Sequence, residues 1–192
     1  VILTGKHSHK NGIIDNGMHF DGSQQTFPKL LQQAGYQTAL IGKWHLHTWP
    51  TGFNYWNMLP GHGQYLNPDF IENGDTIKTK GYITDITTDF AIEYLKNKRV
   101  KGKPFMLMLQ NKAPHSQFLP AFRHMSAFKY DSIPLPSTYF FDCKNRGPAS
   151  CNTSLDMHEY YKSKDNSKMY DISGDSIIGT KWMRWVYSMM SP

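Results

Sequence analysis

The stretch Gly35-Tyr36-Gln37-Thr38-Ala39-Leu40-Ile41-Gly42-Lys43-Trp44-His45 decides the fold class of this chain. Its apolar residues, Ala39 to Ile41, predict a buried strand, because short apolar runs bounded by glycine are typical of parallel sheets. Lys43 and His45 follow, so a fixed cation and a titratable imidazole lie where this strand ends. Ligands of open α/β sheets bind outside the carboxyl ends of the strands. The stretch therefore predicts a site for an anion such as a sulfate or phosphate ester.

A helix is expected directly before this strand. Thr26 is a good N-cap residue for a helix from Phe27 to Ala34, and Gly35 is a typical residue at which a helix ends. The strand itself is then expected over residues 37–41. This order predicts a helix–strand unit.

A second apolar run, Pro104 to Leu109, repeats the arrangement. A helix that begins at Thr84 or Asp85 precedes this run. The length of the run and the residues on either side of it predict a fully buried, parallel strand. Lys112 and His115 follow this run. Two helix–strand units that each end in a Lys/His pair predict one cationic pocket at the carboxyl edge of the sheet.

The segment 48–80 is rich in proline and glycine and is interpreted as a long loop. Long aromatic loops after a functional strand commonly recognise substrate. His47 and Trp49 are expected to line the substrate cleft, with packing inside the loop as an equal alternative.

Composition limits the classes of partner. The chain has 192 residues, a formal net charge of +6 and 39% hydrophobic residues, which suffice for one domain with a real core. Its densest cationic run, residues 96–103, resembles the end of a helix, so no nucleic-acid partner is expected. No apolar run approaches the ~20 residues of a membrane span. No signal peptide is visible, and the chain starts at Val1 without Met.

Two cysteines, Cys143 and Cys151, lie in a stretch rich in proline, glycine and asparagine. A small disulfide loop and two free thiols remain equal alternatives. One spaced pair is poor evidence for zinc, and no metal site is expected in this chain.

Three motifs resemble those of the formylglycine-dependent sulfatases, members of the alkaline-phosphatase-like superfamily. Leu3-Thr4-Gly5 is similar to the end of the first sulfatase signature, and the stretch from Gly35 to His45 fits the second. Lys112-Ala113-Pro114-His115 fits the later histidine motif. Residues 50–56, 61–68 and 81–85 further resemble the N-acetylglucosamine-6-sulfatase group, which acts on heparan-type or mucin-type glycans.

The resemblance implies an α/β fold. It would be part of an alkaline-phosphatase-like sandwich, with a mostly parallel central sheet flanked by helices, and incomplete in this chain. The whole chain, 1–192, would be a partial N-terminal catalytic domain. Residues 1–47 would form a post-nucleophile loop with the Gly-Lys-Trp-His unit, and residues 48–80 a substrate loop. Residues 81–120 would form a helix–strand unit, and residues 121–192 a peripheral segment.

The resemblance also implies roles for individual residues. Lys43 would bind the sulfate and the formylglycine, and His45 would help to eliminate sulfate from the covalent intermediate. His115 would contact the sulfate and protonate the leaving oxygen. Lys112 would support the anion, together with His47, Gln64 and Tyr65 as substrate-binding residues.

The sequence departs from the family pattern where the nucleophile and the metal ligands are concerned. The formylglycine precursor is expected upstream of Val1, and no convincing calcium ligands precede Pro192. The chain is therefore interpreted as an internal fragment that is inactive by itself and marginally stable. Calcium and a formylglycine residue are expected for the full-length protein, which would be periplasmic, secreted or lysosomal.

The favoured function is a sulfuric ester hydrolase that removes sulfate from a glycan, with the 6-O-sulfate of N-acetylglucosamine as the expected target. One alternative is a non-catalytic protein that binds anions or glycans. Another is a phosphodiesterase of the same superfamily, although Gly42-Lys43-Trp44-His45 argues against it. A sulfated glycan is the expected partner, and the sequence leaves the oligomeric state open.

Overall fold

The computed structural model describes residues 1–115, 119–128, 130–131, 134 and 147–150. The chain divides into two compact units, Val1–Ala113 and Pro114–Pro192. Cys143 and Cys151 lie outside the described residues, as does most of the segment 121–192.

The first unit contains nearly all of the described secondary structure. Its helices are α1 (Ser8–Asn11), α2 (Phe27–Gln33) and α3 (Ile83–Glu93), and a π-helical turn at Tyr94–Lys98 continues α3. Its strands are β1 (Gln37–Trp44), β2 (Tyr55–Pro60), β3 (Asp69–Glu72), β4 (Asp75–Lys78) and β5 (Phe105–Gln110). In the second unit, short 3₁₀ turns are described at Phe122–His124 and Pro148–Ser150.

The five strands form one open sheet in the order β4-β3-β2-β1-β5. β1 is parallel to both of its neighbours, so that Ala39 is level with Tyr55 on β2 and with Leu107 on β5. β3 and β4 extend the sheet with antiparallel pairing. The predicted α/β class is confirmed, and the parallel part of the sheet carries the two Lys/His segments.

The core lies on both faces of β1. On one face, Ala39 and Ile41 pack with Ala91 of α3 in a buried apolar cluster. On the other, Trp44 packs with Met58 of β2. Burial on both faces explains why the middle of β1 is a continuous apolar run rather than an alternating one.

β1 is longer than predicted, because it continues through Gly42 to Trp44. Gly42 has φ +108°, and a Cβ there would lie 1.9 Å from the carbonyl oxygen of Gln110 on β5. Only glycine fits this close approach. Lys43 is therefore a residue of the strand itself, not of a loop after it.

The prediction of a loop over residues 48–80 was wrong, because β2, β3 and β4 all lie within it. β3 and β4 form a hairpin whose two-residue turn, Asn73-Gly74, has positive φ at both positions. Asn-Gly is the preferred sequence for such a turn. The proline and glycine content of the segment reflects several tight turns between short strands.

The second predicted strand is present, and its parallel pairing with β1 is confirmed. Its predicted full burial was wrong, since Phe105 and Leu109 are 40% and 42% exposed. β5 comes last in the sheet order of the described residues and pairs with β1 on one side. An apolar run therefore indicated the strand but not its position in the sheet.

The helices begin close to their predicted positions. α2 starts after Thr26, but the Thr26 hydroxyl is buried without a hydrogen-bond partner and does not cap the helix. α3 begins at Ile83, one residue before the first of its two predicted starts, Thr84 and Asp85. None of the helices in the described ranges is long and apolar enough to cross a membrane.

Candidate anion-binding site

A cavity of about 330 Å³ opens where β1 and β5 end, within the first unit. Lys43 and His45 line it from β1, and Gln110 and Asn111 line it from the end of β5. The parallel register makes this possible, because Gly42 is level with Gln110 and the residues that follow both positions emerge at one edge. The cavity lies where the sequence predicted an anion site.

Lys43 is partly buried in this cavity. Burial lowers the pKa of its amine from the ordinary value of 10.5, since removal of water disfavours the charged form. An anion in the cavity would offset this cost.

Lys112 is the second cation of the site and is 4% exposed. Its ammonium donates a hydrogen bond to the carbonyl oxygen of His62 at 2.9 Å and lies 4.7 Å from the ring centroid of Tyr65. Burial lowers the pKa of Lys112, and the charge of Lys43 lowers it further. The two ammonium groups are thus close enough to disfavour each other, which an anion would relieve.

Imidazole rings surround His45. His62 packs edge-on against it with centroids 4.1 Å apart, and His47 lies at 5.1 Å. Burial makes the largest contribution to lowering the pKa of His45 from 6.5. The charges of His62, Lys43 and His47 lower this pKa further. His45 is therefore a neutral imidazole at neutral pH, able to accept or to share a proton.

His47 is exposed at the rim of the site and is held in an unusual conformation. Its φ of 56° lies in the left-handed region, which costs a non-glycine residue about 1–2 kcal/mol. Its Nε2 donates to the carbonyl oxygen of Asn16 at 2.9 Å, and its ring stacks on His19 at 5.4 Å. These two contacts fix the orientation of the imidazole. A strained backbone conformation of this kind is typical of functional positions.

The structure brings together five of the residues selected from the sequence: Lys43, His45, His47, Lys112 and Tyr65. Tyr65 requires a correction, because it is 3% exposed and its ring lies against Lys112. It positions a cation rather than offering its ring at the surface. Gln64, the residue before it, is exposed.

His115 belongs to the second unit, where it lies partly buried in a turn after Pro114. Its predicted convergence with Lys43 and His45 stays a prediction.

The sequence interpretation missed His62, which contacts both His45 and Lys112. The sequence feature that could have identified His62 is its position between two glycines, Gly61 and Gly63, directly after β2. Because the segment was interpreted as a loop, the end of a third parallel strand at the same edge went unrecognised. With β2 recognised, the same rule that selected Lys43 would have selected His62.

The described residues do not fit calcium. Within the described ranges, no group of three or more His, Cys, Asp or Glu side chains is placed to hold a metal ion. Calcium prefers oxygen ligands, carboxylates above all, whereas the titratable side chains that line this cavity are those of Lys43 and His45. The chemistry of the described site is that of anion binding.

Comparisons with known proteins place this geometry in a family. The profile of the family described as Sulfatase matches residues 1–169. The chain is 55% identical over 152 residues to the N-acetylglucosamine-6-O-sulfatase of Bacteroides thetaiotaomicron, a match that covers 78% of this chain and 27% of that protein. It is 29% identical over 153 residues to the N-acetylglucosamine-6-sulfatase of Homo sapiens, which covers 67% of this chain and 28% of that protein.

A solved structure supports the same assignment. The structure of BT4656 in complex with its substrate D-glucosamine-2-N,6-O-disulfate superposes with a TM-score of 0.74 at 42% identity. The match covers 98% of this chain and 42% of that one, and the chain spans about a quarter of the length of the curated relatives that it matches. Because the family profile covers most of the sequence and the sheet agrees with a solved relative, this chain belongs to the sulfatase family, with its alkaline-phosphatase-like fold.

Proposed function

We propose that this chain is part of a sulfuric ester hydrolase that removes sulfate from a glycan, with the 6-O-sulfate of an N-acetylglucosamine unit as its target. The observation that carries the proposal is the pairing of two desolvated cations, Lys43 and Lys112, at the carboxyl edge of the sheet. The names of two relatives and the disulfated glucosamine bound to BT4656 support the choice of sugar and position.

In this proposal Lys43 binds the sulfate group directly. It lines the cavity, and its ammonium forms charge-assisted hydrogen bonds with sulfate oxygens. Lys112 is too buried to contact the sulfate directly. Its ammonium is held by the His62 carbonyl and the ring of Tyr65, and it acts on the sulfate through its electrostatic field. Both charges stabilise negative charge that develops on oxygen as the ester bond breaks.

The histidines divide the proton transfers and the sugar contacts. His45 is neutral at neutral pH and can therefore accept a proton. The formylglycine hydroxyl would be the group that gives up this proton. His115 is proposed to protonate the leaving sugar oxygen. His47 and Gln64, both exposed, are proposed to contact sugar hydroxyls.

The finer properties of the whole protein are proposals that rest on family membership. They are a requirement for calcium and a formylglycine residue, and a periplasmic, secreted or lysosomal location. For the 192-residue chain alone, we propose anion binding without turnover, since its described residues offer cations but no metal-binding cluster.

The test is sulfate release by the intact protein from N-acetylglucosamine 6-sulfate, with the 3-sulfate for comparison. Loss of one electrostatic contact to the reacting group typically lowers kcat about 10²–10³-fold, and we expect this for Lys43→Ala. Lys103→Ala is the matched control, because this exposed lysine precedes β5 at the other end of the strand. Full activity in Lys43→Ala, or a preference for the 3-sulfate, would contradict the proposal.

A further inference from the structure

A second cavity, of about 480 Å³, adjoins the anion site. Its apolar lining comes from Trp44, Trp49, Met58 and Pro60, and its polar lining includes His45 and His47. The volume falls within the range of about 300–1,000 Å³ that is typical of small-molecule sites. Trp44 and His45 line both cavities, so the two cavities are neighbours on either side of these residues.

The indole of Trp49 is the more exposed of the two indoles that line this cavity. It is 57% exposed, although tryptophan is usually among the most buried residues on average. Its ring packs on Trp56 with centroids 5.4 Å apart and an interplanar angle of 33°. The contact with Trp56 thus restrains the indole, while more than half of the surface of Trp49 remains exposed.

The loop that carries Trp49 is fastened to the sheet. The indole Nε1 of Trp44 donates a hydrogen bond to the carbonyl oxygen of Thr48 at 2.6 Å. The hydrogen bond from His47 to Asn16 anchors the preceding residue. The cavity is therefore largely preformed, so that a ligand need not pay to order it.

We propose that this cavity is a subsite for the pyranose ring that carries the sulfate ester. The inference rests on the proposed function and adds the surface that recognises the sugar. A pyranose has an apolar C–H face and a rim of hydroxyls, which match an indole face and neighbouring imidazoles. In a 6-O-sulfate the anion is attached to an exocyclic carbon, so the ring lies beside the anion site, where Trp44 and His45 line both cavities.

Calorimetry on the intact protein tests this with three probes. Methyl sulfate carries the anion without a ring, glucosamine 6-sulfate adds the pyranose, and phenyl sulfate replaces it with an aromatic ring. We expect wild-type protein to bind glucosamine 6-sulfate at least tenfold more tightly than methyl sulfate. Trp49→Ala should reduce this ratio about three- to tenfold, as expected for the loss of an aromatic stacking contact. Trp49→Phe should retain part of it.

The matched control is Tyr36→Ala, which removes a 38% exposed aromatic ring directly before β1, at the other end of that strand. It should leave the ratio unchanged. As a second measurement, the NMR signal of the Trp49 indole N–H should shift when glucosamine 6-sulfate binds, and much less with methyl sulfate.

The outcomes separate this inference from the proposed function. If methyl sulfate and glucosamine 6-sulfate both fail to bind, the proposed function fails. If both bind, but neither the ratio nor the Trp49 signal responds, the ring subsite is wrong and the proposed function stands. Tighter binding of phenyl sulfate than of glucosamine 6-sulfate would overturn the assignment to carbohydrate.

Discussion

The imidazoles of His45 and His62 meet edge-on, with ring centroids 4.1 Å apart, while the carbonyl oxygen of the same His62 holds the ammonium of Lys112. One residue thus sets the environment of the proposed proton acceptor with its ring and the position of a cation with its backbone. These two roles can be separated, because a side-chain substitution leaves the carbonyl in place.

We expect His62→Ala to raise the pKa of His45 towards its ordinary value of 6.5. The substitution removes a ring that contributes both to the burial of His45 and to the charge that opposes its protonation. NMR titration of the His45 ring protons measures the change. His9→Ala is the control, since His9 stacks on His7. A lower or unchanged pKa in His62→Ala would show that this contact does not govern His45.

The lowered pKa of His45 predicts opposite effects of acid on stability and on anion binding. In the unfolded chain this imidazole takes up a proton more readily than in the folded protein, so folding stability falls as the pH drops through 6.5 and below. A bound anion favours the protonated ring. Sulfate should therefore raise Tm more at about pH 5.5 than at about pH 7.5.

Thermal unfolding with and without sulfate measures this difference, and His45→Gln is the comparison that isolates it. In His45→Gln the pH dependence of the sulfate effect should be reduced. An equal sulfate effect at both pH values in the wild type would contradict the prediction.

Lys112→Met should stabilise the fold while it weakens anion binding. Burial of a charge costs free energy, and an apolar side chain of similar length does not incur this cost. The substitution would also relieve the repulsion between Lys112 and Lys43. Urea denaturation and sulfate titration measure the two effects. Lys103→Met, at an exposed position, should change neither.

Gly42→Ala should destabilise the protein by at least about 2–3 kcal/mol, since strain at positive φ adds to overpacking against Gln110. Gly102→Ala is the control. Gly102 also has positive φ, but no atom lies within 4 Å of the position that its Cβ would occupy. It should therefore show only the strain, about 1–2 kcal/mol. Equal losses of unfolding free energy would indicate that the contact with β5 is unimportant.

Tyr55→Phe should cost about 1–2 kcal/mol of unfolding free energy. The Tyr55 hydroxyl donates to Glu72 at 2.5 Å, and Lys98 contacts both residues. Burial, followed by the hydrogen bond to Glu72, raises the pKa of Tyr55 to about 12. Chemical denaturation measures the loss, and Tyr36→Phe, with its more exposed ring, is the control.

The same group of residues predicts acid sensitivity. Burial acts to raise the pKa of Glu72, but hydrogen bonds from Lys98 and Tyr55 outweigh it and lower the pKa below 4.5. The stability that Glu72 contributes is present above pH 4.5 and is lost as the pH falls through the lowered pKa. In Tyr55→Phe this loss should be smaller.

The sequence predicted the parallel pairing of β1 with β5 because both are apolar runs followed by cations. It failed over residues 48–80, where the apolar residues of β2 to β4 are interrupted by turns. β2 is six residues long and β3 and β4 are four each, too short for periodicity to outweigh the glycines and prolines. The Asn73-Gly74 turn was the available signal for the hairpin.

The site was predictable to the extent that strand ends define it. Lys43, His45 and Lys112 follow from that rule, whereas His62 required the recognition of β2. The burial of Tyr65 beneath an ammonium could not be inferred, because its neighbours, Gly63 and Gln64, are typical of an exposed turn. Gly63 itself packs against Leu59, because a Cβ at Gly63 would lie 2.3 Å from that side chain.

The pairing of Gly42 with Gln110 sets the backbone level from which the chain reaches Lys43 on one strand and Lys112 after the other. Lys43 stands one position beyond this pair and Lys112 two positions beyond it. Insertion or deletion of a single residue between Gln110 and Lys112 would move one charge relative to the other without altering the composition of the pocket. Variation in chain length at this point would therefore alter the electrostatic field in the cavity independently of any amino-acid substitution.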